Sequence, residues 1–537
     1  MWKKIFSIIV ILSLWTGSAL SQSELRKVRI NDFSGGMVSN SASDILSPNQ
    51  GTSLVNVVLS VKGKVSKRKG QTLFVKDVSD VPFRGTGRFD PDRNTSYFVA
   101  ASGVDIVRAL SSSQDWTIIN PTSPQTVNND TEFIQANDLL FILNGQDKTT
   151  WYSGASYVTA GTYPTSPPTA KIGAWLRNYL FLSGNPSEQD WVYFSNNLEP
   201  TVFSASDAAK INTGDGQAVQ RLVPFRLNEL IIYKERSIFV LDITGATPLI
   251  DWTVQPISKV IGLIAPRSVV SMGDDQWFLS SNPIAVRSLV RSDFDKILTN
   301  IVSQPIQDIF DGTGPLTINR DDIDLAAGIY FDNKFILAVP TGTSTVNNTV
   351  LAYDFIAQGW YIIDGWFPAE WEIFDERLFY MDANDGRVIE CFTSNISDYP
   401  KGPNTITSTT STPPIGIAWE VITRDIDFDE PENFKILDAI EFEFDPTGNF
   451  YAENYINLDN KGWASIGAVS LAANGNTLPI TLPTTLNDSG LARRTIQLQQ
   501  YGRFKKMKVR TRNSTSGQNV ILQRMTIFGR VMPWERE

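Results

Sequence analysis

Short apolar runs separated by Gly, Asp, Asn and Pro occupy most of the chain. Between Leu227 and Leu289 the runs Glu229–Tyr233, Ser237–Leu241, Trp252–Pro256, Ser268–Met272 and Gln276–Ser280 follow one another too closely for an ordinary helix to fit between them. Similar strand pairs start at 137, 177, 227, 331 and 374, each an Asn- or Asp-bearing turn followed by an apolar strand. Spacings of about 40–50 residues match one four-stranded propeller blade. The wider gap after 227 leaves space for a further blade over 268–289 and an insertion near 293–324, whose pattern over Leu298–Phe310 predicts the one helix of ordinary length. The pattern predicts an all-β chain with a β-propeller of about six blades over 81–400. Asp-Trp followed by alternating β-formers recurs at Trp116, Trp191 and Trp252, as though marking one position in the repeat.

Residues 22–80 read as an N-terminal β-arm with Gly-Gly and Lys-Gly turns. A Thr/Ser/Pro linker over 401–416 precedes a predicted C-terminal β-sandwich over 417–537. In that last part Asp425/Asp427/Asp429 and Glu441/Glu443/Asp445 alternate with apolar residues, and Lys506/Lys508/Arg510/Arg512 share one strand face. The basic stripe invites a nucleic-acid reading, and cross-strand pairing with the acidic stripes is the simpler one. The cluster Lys62, Lys64, Lys67, Arg68, Lys69 reads as a solvated hairpin, with contact to an acidic neighbour or DNA as the sharper alternative.

At 537 residues, 42% hydrophobic and 19% charged, the chain is globular rather than disordered and long enough for two or more domains. The formal charge of −10 argues against tight binding of a phosphate backbone, while an acidic wall still lets a polyanion slide past. The absence of histidine removes Ser-His and Cys-His catalysis and most zinc sites. The single cysteine, Cys391, lies in an apolar strand context that suits a buried, inert thiol. Residues 1–21 combine Lys3 and Lys4 with an apolar run and the small residues Ala19 and Ser21, which fits a signal peptide cut before Gln22 or a retained hydrophobic arm.

Asp382-Ala-Asn-Asp-Gly386 has the oxygen-rich look of a calcium loop but reads better as a hairpin turn. Asp321/Asp322/Asp324 and Asp425/Asp427/Asp429 could supply paired carboxylates, but nothing sets them at a working separation. Sequons at Asn94, Asn129, Asn347, Asn395, Asn487 and Asn513 are expected by chance in so Asn-, Ser- and Thr-rich a chain. No catalytic, cofactor-binding or metal residue is assigned, no cofactor is implied, and the chain reads as a non-enzyme.

The segments Lys234–Leu241, Gly262–Val270 and Gly273–Ser280, with Asp32–Gly36, Asn56–Leu59 and Lys67–Gly70 nearer the start, resemble the β-propeller tail, nozzle and packaged-DNA stabilisation (head-completion) proteins of tailed bacteriophages. The resemblance implies a structural virion protein in a homo-oligomeric ring of six copies. Its expected partners are portal, adaptor and other tail proteins, with double-stranded DNA as a transient passenger through an acidic channel and no small-molecule substrate. The signal-like N-terminus departs from that pattern and keeps a secreted carbohydrate-binding or carbohydrate-degrading propeller as the alternative. A third reading is a virion adhesin with its ligand patch on the sandwich.

Overall fold

The computed structural model describes residues 24–60, 62–75, 81–110, 115–126, 129–245, 247–291, 297–399, 414–472 and 492–532. Residues 1–21 and most of the predicted linker lie outside them. Among the described residues seven four-stranded antiparallel units succeed one another, six as separate sheets and one as part of a nine-stranded sheet. We number them as blades 1 to 7, covering 83–118, 132–159, 172–210, 219–258, 270–301, 327–364 and 368–390. First strands lie side by side between successive blades except 4 and 5, which meet through an apolar cluster, and Pro368–Phe374 of blade 7 packs against Phe83–Asp92 of blade 1, so the units close into a β-propeller. Blade 7 has only three strands of its own, and Thr72–Val75 supplies the fourth.

The repeat seen in the sequence is the turn between the first two strands of each blade. In blades 2, 3, 5, 6 and 7 this turn has two residues, and in blade 4 it has three. Each contains a left-handed residue: Asn137, Arg177 with Asn178, Arg226, Gly273, Asp332 with Asn333, and Asp375 with Glu376. Positive φ across a two-residue loop matches the right-handed twist of the flanking strands, which is why Asn, Asp and Gly recur there. Blade 1 turns differently: Asp92 accepts a bond from the Asn94 N–H at 2.8 Å and neither Arg93 nor Asn94 is left-handed. That blade therefore lacks the periodic signal, and the expected count of about six becomes seven.

Two other expectations change. Only Gln307–Asp311 is α-helical in the stretch predicted as a helix; Ile297–Ile301 is the outer strand of blade 5, and Gln304–Ile306 is a 3-10 turn. Pro305 explains the break, since it has no N–H to donate to an upstream carbonyl. The three Asp-Trp segments are not equivalent. Trp116 and Trp252 precede fourth strands, whereas Trp191 opens a third strand.

The expected arm and sandwich share their sheets. Glu24–Ile30 pairs with Ile521–Val531, Val65–Lys67 pairs with the start of that same strand, and Gly51–Val55 pairs with Trp419–Thr423. Gly51–Val55 also contacts Gly359–Asp364 of blade 6 through a parallel bridge, Val55 to Ile362. A nine-stranded sheet thereby runs from blade 6 into the C-terminal strands. Separate apolar clusters fill the gaps between blades 7 and 1, 1 and 2, 2 and 3, 3 and 4, and 4 and 5. One larger cluster spans blades 5 to 7 and continues through Trp366 and Trp419 into the C-terminal strands.

Arg68 sits where these parts meet and is fully buried. Its guanidinium grips both oxygens of Asp398 at 2.8 and 2.6 Å, and donates to Asn56 Oδ1 at 2.7 Å, Lys69 O at 3.0 Å and Asp364 O at 3.1 Å. Those contacts occupy all five of its N–H donors. Its flat face lies 4.6 Å from the Trp366 ring centroid. Beside it Lys67 is buried and bonds Asn513 Oδ1 at 2.9 Å. The basic cluster is therefore not a solvated hairpin throughout, since two of its cations are internal fasteners. Removing one partner of a buried pair leaves an uncompensated charge and costs about 3–5 kcal/mol. Arg68→Met and Asp398→Asn should each lower unfolding free energy by about that amount in urea titrations, while Lys62→Met, on the exposed turn, should change it by less than about 0.5 kcal/mol.

Candidate functional site

The densest group of charged side chains outside that joint lines the propeller axis. Glu132 opens the first strand of blade 2, Arg221 lies in that of blade 4, and Glu370 and Glu372 lie in that of blade 7. Arg267 stands on the 3-10 turn Pro266–Ser268 ahead of blade 5. Arg221 Nη1 reaches Glu132 Oε2 at 2.8 Å, joining two blades that are not neighbours. Arg267 approaches Asp130 at 3.5 Å and Glu370 at 3.7 Å, and donates to the carbonyl of Arg84 in blade 1 at 3.0 Å. These side chains cross the axis. Ion pairs therefore span the axis of the propeller.

The acids outweigh what the two arginines satisfy. Among the described residues, Glu132 Oε1, Glu370 Oε2 and the Thr86 hydroxyl are buried without a hydrogen-bond partner. Burial pushes the carboxyls of Glu132 and Glu370 above the ordinary range, against the pull of the arginines. Glu372 is pushed up to about 8, by burial first and then by repulsion from Glu370. Its carboxylate accepts from the Ile373 N–H at 3.1 Å, which does not offset that burial. An open cavity of about 720 Å³ lies beside this cluster, bounded by Arg84, Asp130, Asn144, Lys171 and Gln189, but the glutamates do not line it. With its glutamates away from that cavity and Glu132 and Glu370 facing arginines, the cluster is suited to fastening blades across the axis.

The motifs singled out in the sequence fall elsewhere. Cys391 is buried and burial drives its thiol well above the usual range. In the Asp382–Gly386 turn, Asp382 accepts from the Asn384 N–H at 2.8 Å and Asp385 accepts from Arg387 Nε at 2.7 Å, so local donors engage both acids. Among the described residues no group of three or more His, Cys, Asp or Glu is placed to hold a metal ion. The sequons at Asn347 and Asn513 are buried, and Asn487 lies outside the described residues. The basic stripe is paired across strands, as the simpler reading expected, in part with the expected acid Asp425 and in part with Glu420 and Glu453. Lys506 meets Asp425 at 2.9 Å, Arg512 meets Glu453 at 2.8 Å and Arg510 meets Glu420. Glu443 bonds Arg493 at 2.6 Å and also Arg524, while Asp445 meets Lys64 at 3.4 Å. The axial cluster was not foreseen. Its only sequence trace is Glu, Arg or Asp at or just before first strands, positions that alternation alone would assign to solvent.

A carboxyl whose pKa is raised on folding holds its proton more tightly in the folded chain. Its contribution to stability is complete below the unfolded value, near 4.5, and is lost as pH rises through about 8. Glu372→Gln removes that dependence. Unfolding free energies measured from pH 5 to 9 should show wild type falling relative to the variant across this window, by at most about 5 kcal/mol. Parallel curves would remove the buried proton from the account.

No family model matches the chain, and no curated protein matches it. Solved structures similar in shape include the Neurospora crassa Pan2 WD40 domain, at 8% identity over 61% of this chain and 98% of that one, with a TM-score of 0.38. YCF48 bound to D1 peptide is 14% identical over 62% of this chain and 100% of that one, with a TM-score of 0.36. The computationally designed Ika8 protein is 9% identical over 60% of this chain and 100% of that one, with a TM-score of 0.37.

Proposed function

We propose that the chain is a structural virion protein of a tailed phage. In this reading it is one subunit of a tail, nozzle or head-to-tail connector ring that retains packaged DNA and conducts it during ejection. The observation that carries the reading is mechanical: sandwich and propeller share a sheet and are clamped by the Arg68–Asp398 pair, so the chain is a stiff two-module block. Stiffness of this kind suits a wall under load from packed genome. Ion pairs across the axis suit a conduit formed between copies, and a formal charge of −10 suits a surface along which DNA slides without adhering. The segments that carry the phage resemblance, Lys234–Leu241 and Gly262–Ser280, fall on blades 4 and 5 and their connection. In this reading the ring holds six copies and contacts the portal or adaptor on one side and further tail proteins on the other.

Particles assembled with the gene disrupted test the proposal. The expected result is heads that lose their DNA or carry truncated tails, with the defect repaired by supplying the protein in trans. Particles lacking the protein that keep both their DNA and a full-length tail would overturn it.

A further inference from the structure

Where the first strands of blades 1 to 3 begin, the propeller holds the open cavity of about 720 Å³ that the axial glutamates do not line. That volume lies within the range of small-ligand sites. Two cations line it from different blades: Arg84, near the start of Phe83–Asp92 in blade 1, and Lys171, directly before Ile172–Leu176 of blade 3. Both are placed by close approaches that need glycine. A Cβ on Gly85 would fall 1.8 Å from the carbonyl oxygen of Thr131. Only glycine therefore lets blade 1 pass this close to the residues entering blade 2, where the Thr131 N–H donates to Arg84 O at 2.8 Å. The stem of Lys171 lies against Gly145 and Gly184, which are left-handed at φ 76° and 80°. A Cβ on either glycine would come within 2.9 or 2.8 Å of the lysine's own Cβ. The Gly145 N–H donates to Ala170 O and the Lys171 N–H to Ser183 O, both at 2.9 Å, so the two turns hold that stem.

The chain has 57 acidic residues to 47 basic ones, yet among the described residues neither Arg84 nor Lys171 has a side-chain hydrogen bond or ion pair. The one carboxylate in the lining, that of Asp130, is drawn to Arg267 at 3.5 Å. A single unpaired surface cation is ordinary. Two that line one concavity concentrate positive potential there. The rest of the lining is largely amide rather than apolar. Gln146 accepts from Asn129 Nδ2 at 3.3 Å and keeps its own N–H donors, and among the described residues the Gln189 carboxamide has no partner. Carboxamides both donate and accept, as hydroxyl groups do. Among the described residues no aromatic ring lines the cavity, so a nucleobase would find nothing to stack on.

We propose that this cavity binds a sugar bearing an acidic group. Arg84 and Lys171 hold its carboxylate or phosphate, and the carboxamides of Gln146 and Gln189 meet its hydroxyls. The site belongs to one copy of the chain, whether or not copies assemble into a ring. Calorimetric titration of the full chain with glucuronate, glucose 6-phosphate and glucose distinguishes the two sources of charge. At least one acidic sugar should bind saturably, and glucose at least about tenfold more weakly. Raising salt should weaken the acidic sugar and leave glucose unchanged. Arg84→Gln with Lys171→Gln should weaken acidic-sugar binding by at least about tenfold, while Lys62→Met, on the other side of the basic cluster's joint, should leave it unchanged. The substituted positions are exposed, so melting temperatures should match wild type. The comparison of sugars on wild type decides the matter even if they do not. Glucose binding as tightly as both acidic sugars, no saturable binding of either acidic sugar, or acidic-sugar binding that survives the double substitution would overturn the proposal. Inorganic phosphate binding as tightly as the better acidic sugar would remove the sugar from it and overturn it equally.

Discussion

A buried guanidinium can be tolerated only if every donor finds a partner, and Arg68 meets that condition by recruiting distant parts of the chain. Asn56 comes from the N-terminal strands, Asp364 from the end of blade 6, and Asp398 from the residues that follow blade 7. A few residues on, Thr72–Val75 completes blade 7, so the position of Arg68 also sets where the propeller closes. The geometry leaves little slack. A Cβ on Gly70 would fall 1.9 Å from the carbonyl oxygen of Ser397, so only glycine lets the two segments pass. Arg68 thus ties together the segment that closes the propeller and the end of blade 6, from which the shared sheet passes into the C-terminal strands.

The parts of the fold visible in the sequence are those set by neighbours along the chain. The two-residue turns at Asn137, Arg177 and Asp332 announce themselves because a left-handed hairpin restricts residue type on the spot. Blade 1 escaped because an Asp92 side chain, rather than a left-handed residue, shapes its turn. A β-arm over 22–80 was expected, but the pairing of its strands and of the closing strand Thr72–Val75 was not legible, for a different reason. Their partners lie hundreds of residues away, and an alternating strand reads the same whichever sheet it joins. Lys67 and Arg68 looked solvated for the same reason, since nothing local reveals that Asp398 waits across the fold. The predicted helix over 298–310 failed where tertiary pairing with blade 5 overrode an ambiguous apolar pattern.

The axial charges fasten the propeller from inside. Ion pairs from blades 2, 4, 5 and 7 cross the centre, fastening first strands that would otherwise be tied only through blade-to-blade packing. Their cost is a set of carboxylate oxygens without partners and a glutamate that keeps its proton near neutrality. On the loop before blade 4's last strand, where the Thr247 N–H donates to Asp251 Oδ2, Leu249 and Ile250 stand exposed. A block stiff at its centre is suited to joining other blocks, which is the property the proposed ring requires.

The central claim is that propeller and sandwich form one mechanical body organised around Arg68. Native-state hydrogen exchange tests it most directly. If the claim holds, amides in Gly359–Asp364 of blade 6 and in Met507–Asn513 of the sandwich open with the same free energy, and both follow global unfolding as denaturant is added. If Met507–Asn513 exchanges through a separate, lower-energy opening while blade 6 stays protected, the two modules are independent and the account is contradicted.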